Sequence, residues 1–167
     1  MLKEHRIRVS LKNPVHFLAL GFGSGLIPFM PGTFGSLAAI PLLLLMAQIP
    51  LWAFITITLL ASVIGIYLCG KTADDMQVHD HGSIVWDEIA GMFITFLFVP
   101  ISAMSLCLGF VLFRIFDIVK PWPIGVIDKR LHGGSGIMLD DIIAGAMACA
   151  CLHIIMRVWP VFMNVSL

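Results

Sequence analysis

The stretch LAAIPLLLLMAQIPLWAFITITLLASVIGIYLCG, residues 37–70, contains no charged side chain. As a single helix it would be a rod of ~50 Å at ~1.5 Å per residue, whereas a hydrocarbon core is only ~30 Å thick. The run therefore predicts a chain that folds back. Pro50, with Gln48 before it and Trp52 after it, marks the turn of a helical hairpin, because the residue before a proline is pushed out of the α region and tryptophan settles at membrane interfaces. The first arm, residues 33–49, is short enough either to span or to dip part-way.

Composition leads outward to the same class. Of 167 residues, 59% are hydrophobic and 12% charged, and the mean hydropathy is +1.01; soluble domains hold nearer ~45–50% apolar residues. Ten basic and ten acidic residues cannot coat a soluble globule of this size, so the missing polar surface implies a lipid one. The expectation is an all-α, polytopic membrane bundle forming one domain over residues 1–167. Formal neutrality speaks against nucleic acid as a partner, since phosphate backbones recruit basic patches. Cys69, Cys107, Cys149 and Cys151 lie in apolar runs without zinc-type spacing and read as packing residues.

Toward the N-terminus, MLKEHRIRVSLKN is basic and then polar, unlike a removable signal peptide. Its Lys3, Arg6, Arg8 and Lys12 suit either a juxtamembrane arm drawn to anionic head groups or a solvated tail. Residues 14–36 are apolar but broken by Gly21, Gly23, Gly25, Pro28, Pro31, Gly32 and Gly35, which predicts a short interfacial helix followed by an irregular loop.

Toward the C-terminus, the apolar stretch Ile89–Phe113 is interrupted by Pro100-Ile101-Ser102, and either a kinked crossing or a hairpin fits that pattern. Charge favours the hairpin. With two hairpins and a final crossing over residues 142–156, Lys3, Arg6, Arg8, Lys12, Lys71, Arg114, Lys120, Lys129 and Arg130 share a face and Arg157 alone lies opposite. By the positive-inside rule the shared face is cytoplasmic.

The acidic residues gather on that face too. Asp87-Glu88 opens one helix, Asp140-Asp141 opens another, and Arg114, Asp117 and Lys120 follow at three-residue steps along the end of a third, a spacing that keeps them on one helical face. As helix caps, Asp87 and Asp140 need no further explanation. Capping does not account for the second carboxylate beside each, whose desolvation calls for a counter-charge. Oxygen-only ligands would suit a hard divalent cation such as Mg2+. Arg114 and Lys120 serve equally as positive-inside anchors or as ligands of a phosphoryl group. His79-Asp80-His81 and His132 fit metal ligation, proton transfer or a solvated loop. Pro31-Gly32-Thr33-Phe34-Gly35-Ser36 sets two hydroxyls and backbone N–H groups ahead of an apolar helix, where they form an ordinary turn or meet an anion. There is no GxxxxGK[ST], DxDx[TV], HExxH or GxSxG string, and Cys107 is one residue too far from Arg114 for a cysteine-phosphatase loop.

The strings GFGSGLIPFMPGTFGSLAAIP, HDHGSIVWDEIAGM, FRIFDIVKPWPI and GIMLDDIIAG together resemble the phosphatidylglycerophosphatase A family of bacterial membrane lipid phosphatases, and the resemblance runs from about Asn13 to the last apolar helix. It implies an all-α fold, Mg2+ dependence, and removal of the terminal phosphate of phosphatidylglycerophosphate to give phosphatidylglycerol in the bacterial plasma membrane, by a multi-pass protein whose active face is cytoplasmic. Carried onto the matching positions, it assigns catalysis and one or two Mg2+ ions to Asp87, Glu88, Asp117, Asp140 and Asp141. Phosphate binding then falls to Arg114 and Lys120, with Thr33 and Ser36 as additions. Oligomeric state stays open. The rivals are a small polytopic transporter, which would carry charge at mid-membrane depth, a non-catalytic scaffold, and phosphatidyl transfer, whose DGxxAR start is missing.

Overall fold

Asn13 and Pro14 begin the first helix, α1 (Pro14–Ala19): the Asn13 side chain accepts the Val15 N–H at 3.0 Å, and proline at the first position lacks only an N–H that a helix start leaves unbonded. The computed structural model describes residues 9–78, 81–131 and 133–158, with the side chains of residues 128–130 outside that description. Lys3, Arg6, Arg8, His79, Asp80 and His132, and the side chains of Lys129 and Arg130, therefore lie outside the described residues.

After α1 comes a 3-10 segment, Gly21–Leu26, broken internally at Phe22 and Gly23, both at positive φ. Then follow α2 (Pro31–Met46), α3 (Leu51–Met76), α4 (Trp86–Thr95), α5 (Ala103–Val119), α6 (Ile124–Arg130) and α7 (Gly134–Val158). The turn between α2 and α3 occupies residues 47–50, with Pro50 immediately ahead of α3. At 16 residues, α2 is ~24 Å long. Among the described residues, Leu51–Met76 and Gly134–Val158 are long and apolar enough to cross a membrane.

The stretch that charge favours as a hairpin over a kinked crossing is two helices. α4 stops at Thr95 after 10 residues, ~15 Å, and α5 starts behind a Ser102–Ser105 capping box in which each side chain bonds the other residue's N–H, at 3.1 and 2.8 Å. Pro100 lies in the connection.

Two boundaries correct the sequence reading. The last helix starts at Gly134, not Ile142, so Asp140 and Asp141 sit two turns inside it. Glycine is a poor helix former, but a Cβ on Gly134 would meet the Ile66 carbonyl oxygen at 1.9 Å; close packing on α3 sets this start, not propensity. Likewise the residue capping α4 is Val85, so Asp87 occupies the second helical position and is not the N-cap.

α4 is the centre of the bundle, with α2, α3, α5 and α7 packed around it. Ile89, Ala90, Met92 and Phe93 are all buried, as expected of a helix apolar on every side. A small cluster of Cys69, Ala73, Met76, Ile84, Ala90, Ile137 and Met138 joins the C-terminal part of α3 to the N-terminal parts of α4 and α7. At that end His16 Nε2 lies 3.0 Å from Asp75 Oδ2, tying α1 to α3. The outer face of α3 leaves Leu59, Leu60, Val63, Ile64 and Tyr67 exposed, a surface that suits acyl chains and not water.

Candidate active site

The same pentapeptide pattern, Asp-x-x-Ala-Gly, occurs at residues 87–91 and 141–145, and the two copies pack against each other. In each, the aspartate is one turn from the glycine on the same helical face. A Cβ on Gly145 would stand 2.4 Å from the Gly91 carbonyl oxygen, and one on Gly91 would stand 2.9 Å from the Asp141 carbonyl oxygen. Only hydrogen fits between the backbones, so α4 and α7 cross in contact, as small residues allow in membrane bundles. One turn toward the N-terminus, the crossing brings Asp87 and Asp141 face to face.

Glu88, next to Asp87 in the first turn of α4, completes the group. One carboxylate oxygen from each of Asp87, Glu88 and Asp141 lies within 4.8 Å of the other two. Opposed oxygens around Mg2+ stand ~4.2 Å apart and around Ca2+ roughly 5 Å, so the set has the dimensions and the hard-donor chemistry of a divalent cation site. Asp87 is 8% and Asp141 2% exposed. Asp87 Oδ1 and Glu88 Oε2 are buried without a hydrogen-bond partner, a state that native structures avoid unless something else satisfies it. The residues thus fit a divalent ion, on donor type, spacing and unmet oxygens alike.

Arg114 and Asp117 come from α5, which returns past the start of α4. The Arg114 guanidinium pairs with Asp117 Oδ2 and reaches to 3.9 Å from Glu88 Oε1. Its Nε is buried with no partner, an unmet charged donor on the side chain that borders Glu88 and Asp117. Asp117 is an electrostatic neighbour of both Glu88 and Asp141. Lys120 departs from the expected three-step helical face. Pro121 ends α5, Lys120 takes up a left-handed backbone at φ 45, and its Nζ bonds Asp140 Oδ2 at 2.7 Å. Successive residues on a helix point ~100° apart, which is why Asp140 meets Lys120 while Asp141 meets α4. Five carboxylates thus face two cations, and in their ionised forms they hold three negative charges in excess. Such an excess is expensive to desolvate without a bound cation, although the N-terminus of α4 offsets part of it.

The PGTFGS string forms the first turns of α2 at the edge of this group. Thr33 donates its N–H to the Met30 carbonyl oxygen at 2.9 Å, and the Oγ of buried Ser36 donates to the Gly32 carbonyl oxygen at 2.9 Å. His81 is buried and stands outside the three-carboxylate group, its Nδ1 accepting the Ser83 N–H at 3.2 Å. Sequence reasoning took Gly32 for a helix breaker or part of an anion-meeting turn and passed over Gly91 and Gly145. The signal for the last two was the repeated Asp-x-x-Ala-Gly, read as charge alone.

A sequence model of the family described as Phosphatidylglycerophosphatase A matches residues 17–156, a range that holds all four motif strings. The chain belongs to the phosphatidylglycerophosphatase A family. It is 52% identical over 154 residues to the Escherichia coli K12 protein named phosphatidylglycerophosphatase A, covering 92% of this chain and 90% of that one. To the Haemophilus influenzae protein of the same name it is 50% identical over 143 residues, 84% of this chain and 88% of the relative. A Bacteroides thetaiotaomicron protein with the provisional name phosphatidylinositol-3-phosphatase is 37% identical over 136 residues, 77% of this chain and 84% of its own length. No solved structure matches the chain.

Proposed function

We infer that this member of the phosphatidylglycerophosphatase A family is a lipid phosphatase: with water it converts phosphatidylglycerophosphate to phosphatidylglycerol and inorganic phosphate. The observation that carries the reading is the buried group of Asp87, Glu88 and Asp141, with unmet carboxylate oxygens beside the unmet Nε of Arg114. Carboxylates of that kind call for a cation, and a guanidinium beside them calls for an anion; a phosphate monoester held against a divalent ion supplies both.

In this proposal Asp87, Glu88 and Asp141 hold Mg2+, with Asp117 and Asp140 at the border of the same set. When bound, the ion supplies Lewis-acid stabilisation of the phosphoryl oxygens and an activated water. Arg114 orients the phosphoryl group through its Nε–H while its Nη1 stays on Asp117, so the charge developing on phosphorus meets a donor already in place. Lys120, held by Asp140, adds positive charge at the entrance. Thr33 and Ser36 fix the start of α2 alongside. The site lies at one end of the bundle, where the lipid head group would reach it with the acyl chains still among the helices.

The membrane arrangement is part of the proposal. The whole chain is one membrane-embedded domain, in which α2 with α3 and α4 with α5 form two hairpins, α7 crosses once, and α1 lies at the interface. Lys12, Lys71, Arg114 and Lys120 then share the end that carries the site and Arg157 stands at the other, which makes the site cytoplasmic in a bacterial plasma membrane. A transporter would need its charge along a mid-membrane path, whereas the acidic group gathers at one level, in the first turn of α4 and two turns into α7, and does not continue along the bundle.

The deciding assay uses the purified chain in detergent with phosphatidylglycerophosphate, phosphatidic acid, a phosphoinositide monophosphate and a soluble phosphomonoester, each with Mg2+ and with chelator. Phosphate release from phosphatidylglycerophosphate that stops on chelation is expected. Hydrolysis confined to the soluble ester would end the lipid assignment.

A further inference from the structure

We propose that Gly32 is a positioning residue of this site: the absence of a side chain there is what lets the Glu88 carboxylate stand among the metal-holding oxygens and against Arg114. The proposal rests on the metal reading above. A Cβ on Gly32 would lie 2.3 Å from Glu88 Oε1 and 3.1 and 3.2 Å from Arg114 Nη1 and Nη2. The first distance is about 1 Å below ordinary contact, so a methyl group must move the carboxylate.

α2 can give way only as a whole, because its first turn is closed on itself by the Thr33 N–H to Met30 and the Ser36 hydroxyl to the Gly32 carbonyl, both at 2.9 Å, and moving it outward would open its close packing on α4. Three residues on, Gly35 is already against Val85, where a Cβ would meet the valine Cβ at 2.5 Å. Glu88 is the softer partner, one side chain hemmed in by Arg114 and the neighbouring aspartates.

The need is steric and not conformational. Gly32 is inside α2 at an ordinary helical backbone, where alanine is the better helix former. A harmful Gly32→Ala exchange therefore reports on Glu88, since the backbone itself accepts alanine. Gly32 lies against both Glu88 and Arg114, so a side chain there would press on the pair and displace the carboxylate.

The test measures Mn2+ binding by electron paramagnetic resonance on the purified full chain, without substrate, for the wild type, Gly32→Ala, Glu88→Asp and the double variant, together with thermal unfolding and Mg2+-dependent hydrolysis. Gly32→Ala is expected to unfold no earlier than the wild type in chelator and to bind Mn2+ about 10- to 100-fold more weakly, the range found when a group supporting a ligand is lost. Glu88→Asp shortens the side chain away from the new methyl, so the double variant should bind more tightly than the two single effects combined predict. Three results overturn the proposal: Mn2+ affinity of Gly32→Ala within twofold of the wild type, additive single effects, or a Gly32→Ala chain that does not fold. A wild type that neither binds Mn2+ nor hydrolyses the lipid with Mg2+ removes the metal reading itself, and the Gly32 proposal with it. A wild type that does both beside an unaffected Gly32→Ala removes the Gly32 proposal alone.

Discussion

Gly145 rests on the backbone of Gly91 so closely that a Cβ would come within 2.4 Å of the Gly91 carbonyl oxygen. Because Asp141 and Asp87 are each one turn before these glycines, the crossing fixes the separation of the two carboxylates. Packing deep in the bundle thereby sets the geometry of its polar end.

Gly145→Ala should accordingly damage fold and site together. Overpacking of this kind costs about 1–3 kcal/mol, and α7 can relieve it only by moving away from α4. The unfolding temperature in detergent and the rate of phosphate release should fall in the same variant. A protein that keeps both would show that the glycine contact does not control the distance from Asp87 to Asp141.

Asp141→Asn separates charge from shape. It removes one of the excess negative charges while preserving the volume of a residue that is 2% exposed. In chelator the variant should be at least as stable as the wild type, because repulsion among buried carboxylates is relieved. The wild type should gain stability on adding Mg2+, about 2.7 kcal/mol at a hundredfold excess over the dissociation constant, and the variant should gain little while losing turnover. Thermal melts with and without Mg2+ check both halves; an equal Mg2+ response in the two proteins counts against Asp141 as a ligand.

How much of this was visible in the residues depends on range. The uncharged run at 37–70 required a turn, and Pro50 falls there because a proline acts on its own backbone. The start of α7 was not visible. Gly134 is a breaker by propensity, and its place at the helix start comes from Ile66 and Gly70, more than sixty residues away in the chain. Asp87, Glu88, Asp140 and Asp141 stood out as paired carboxylates beside apolar helices, and the family resemblance joined Asp117 to them. Their division into three that converge and two that pair with Arg114 and Lys120 depends on helix rotation and on the left-handed residue at Lys120. Gly32 was read as a breaker or turn residue for a similar reason: its neighbours Glu88 and Arg114 meet it only in the folded bundle.

Arg114 has a structural task and a chemical one, and two substitutions separate them. Its side chain is 15% exposed, pairing with Asp117 and approaching Glu88. Arg114→Ala leaves those carboxylates buried without their cation and should destabilise the protein by about 3–5 kcal/mol. Arg114→Lys keeps the charge but loses the planar fork. It should fold, and kcat/KM for the lipid should drop about 100- to 1000-fold, the usual effect of removing a donor that meets charge in the transition state. Near-normal turnover in the lysine variant would confine Arg114 to structure.

The two ends of α3 provide the test of orientation. Trp52 lies in the first turn of the 26-residue helix Leu51–Met76 and Gln77 follows its last residue; at ~1.5 Å per residue the helix exceeds a ~30 Å core. Trp122 follows Lys120, whose bond to Asp140 ties that loop to the acidic end. Single cysteines at Gln77 and Trp122, in a chain freed of its four native cysteines, should react with a membrane-impermeant maleimide from the same side, and a cysteine at Trp52 from the opposite one. Because Lys12, Lys71, Arg114 and Lys120 accompany the acidic end, that side should be the cytoplasm: positions 77 and 122 should label in inside-out vesicles and stay protected in intact cells. Labelling of 77 and 122 from opposite sides would separate residues that the carboxylate site needs in one compartment, and no reassignment of individual ligands could then restore the proposed chemistry.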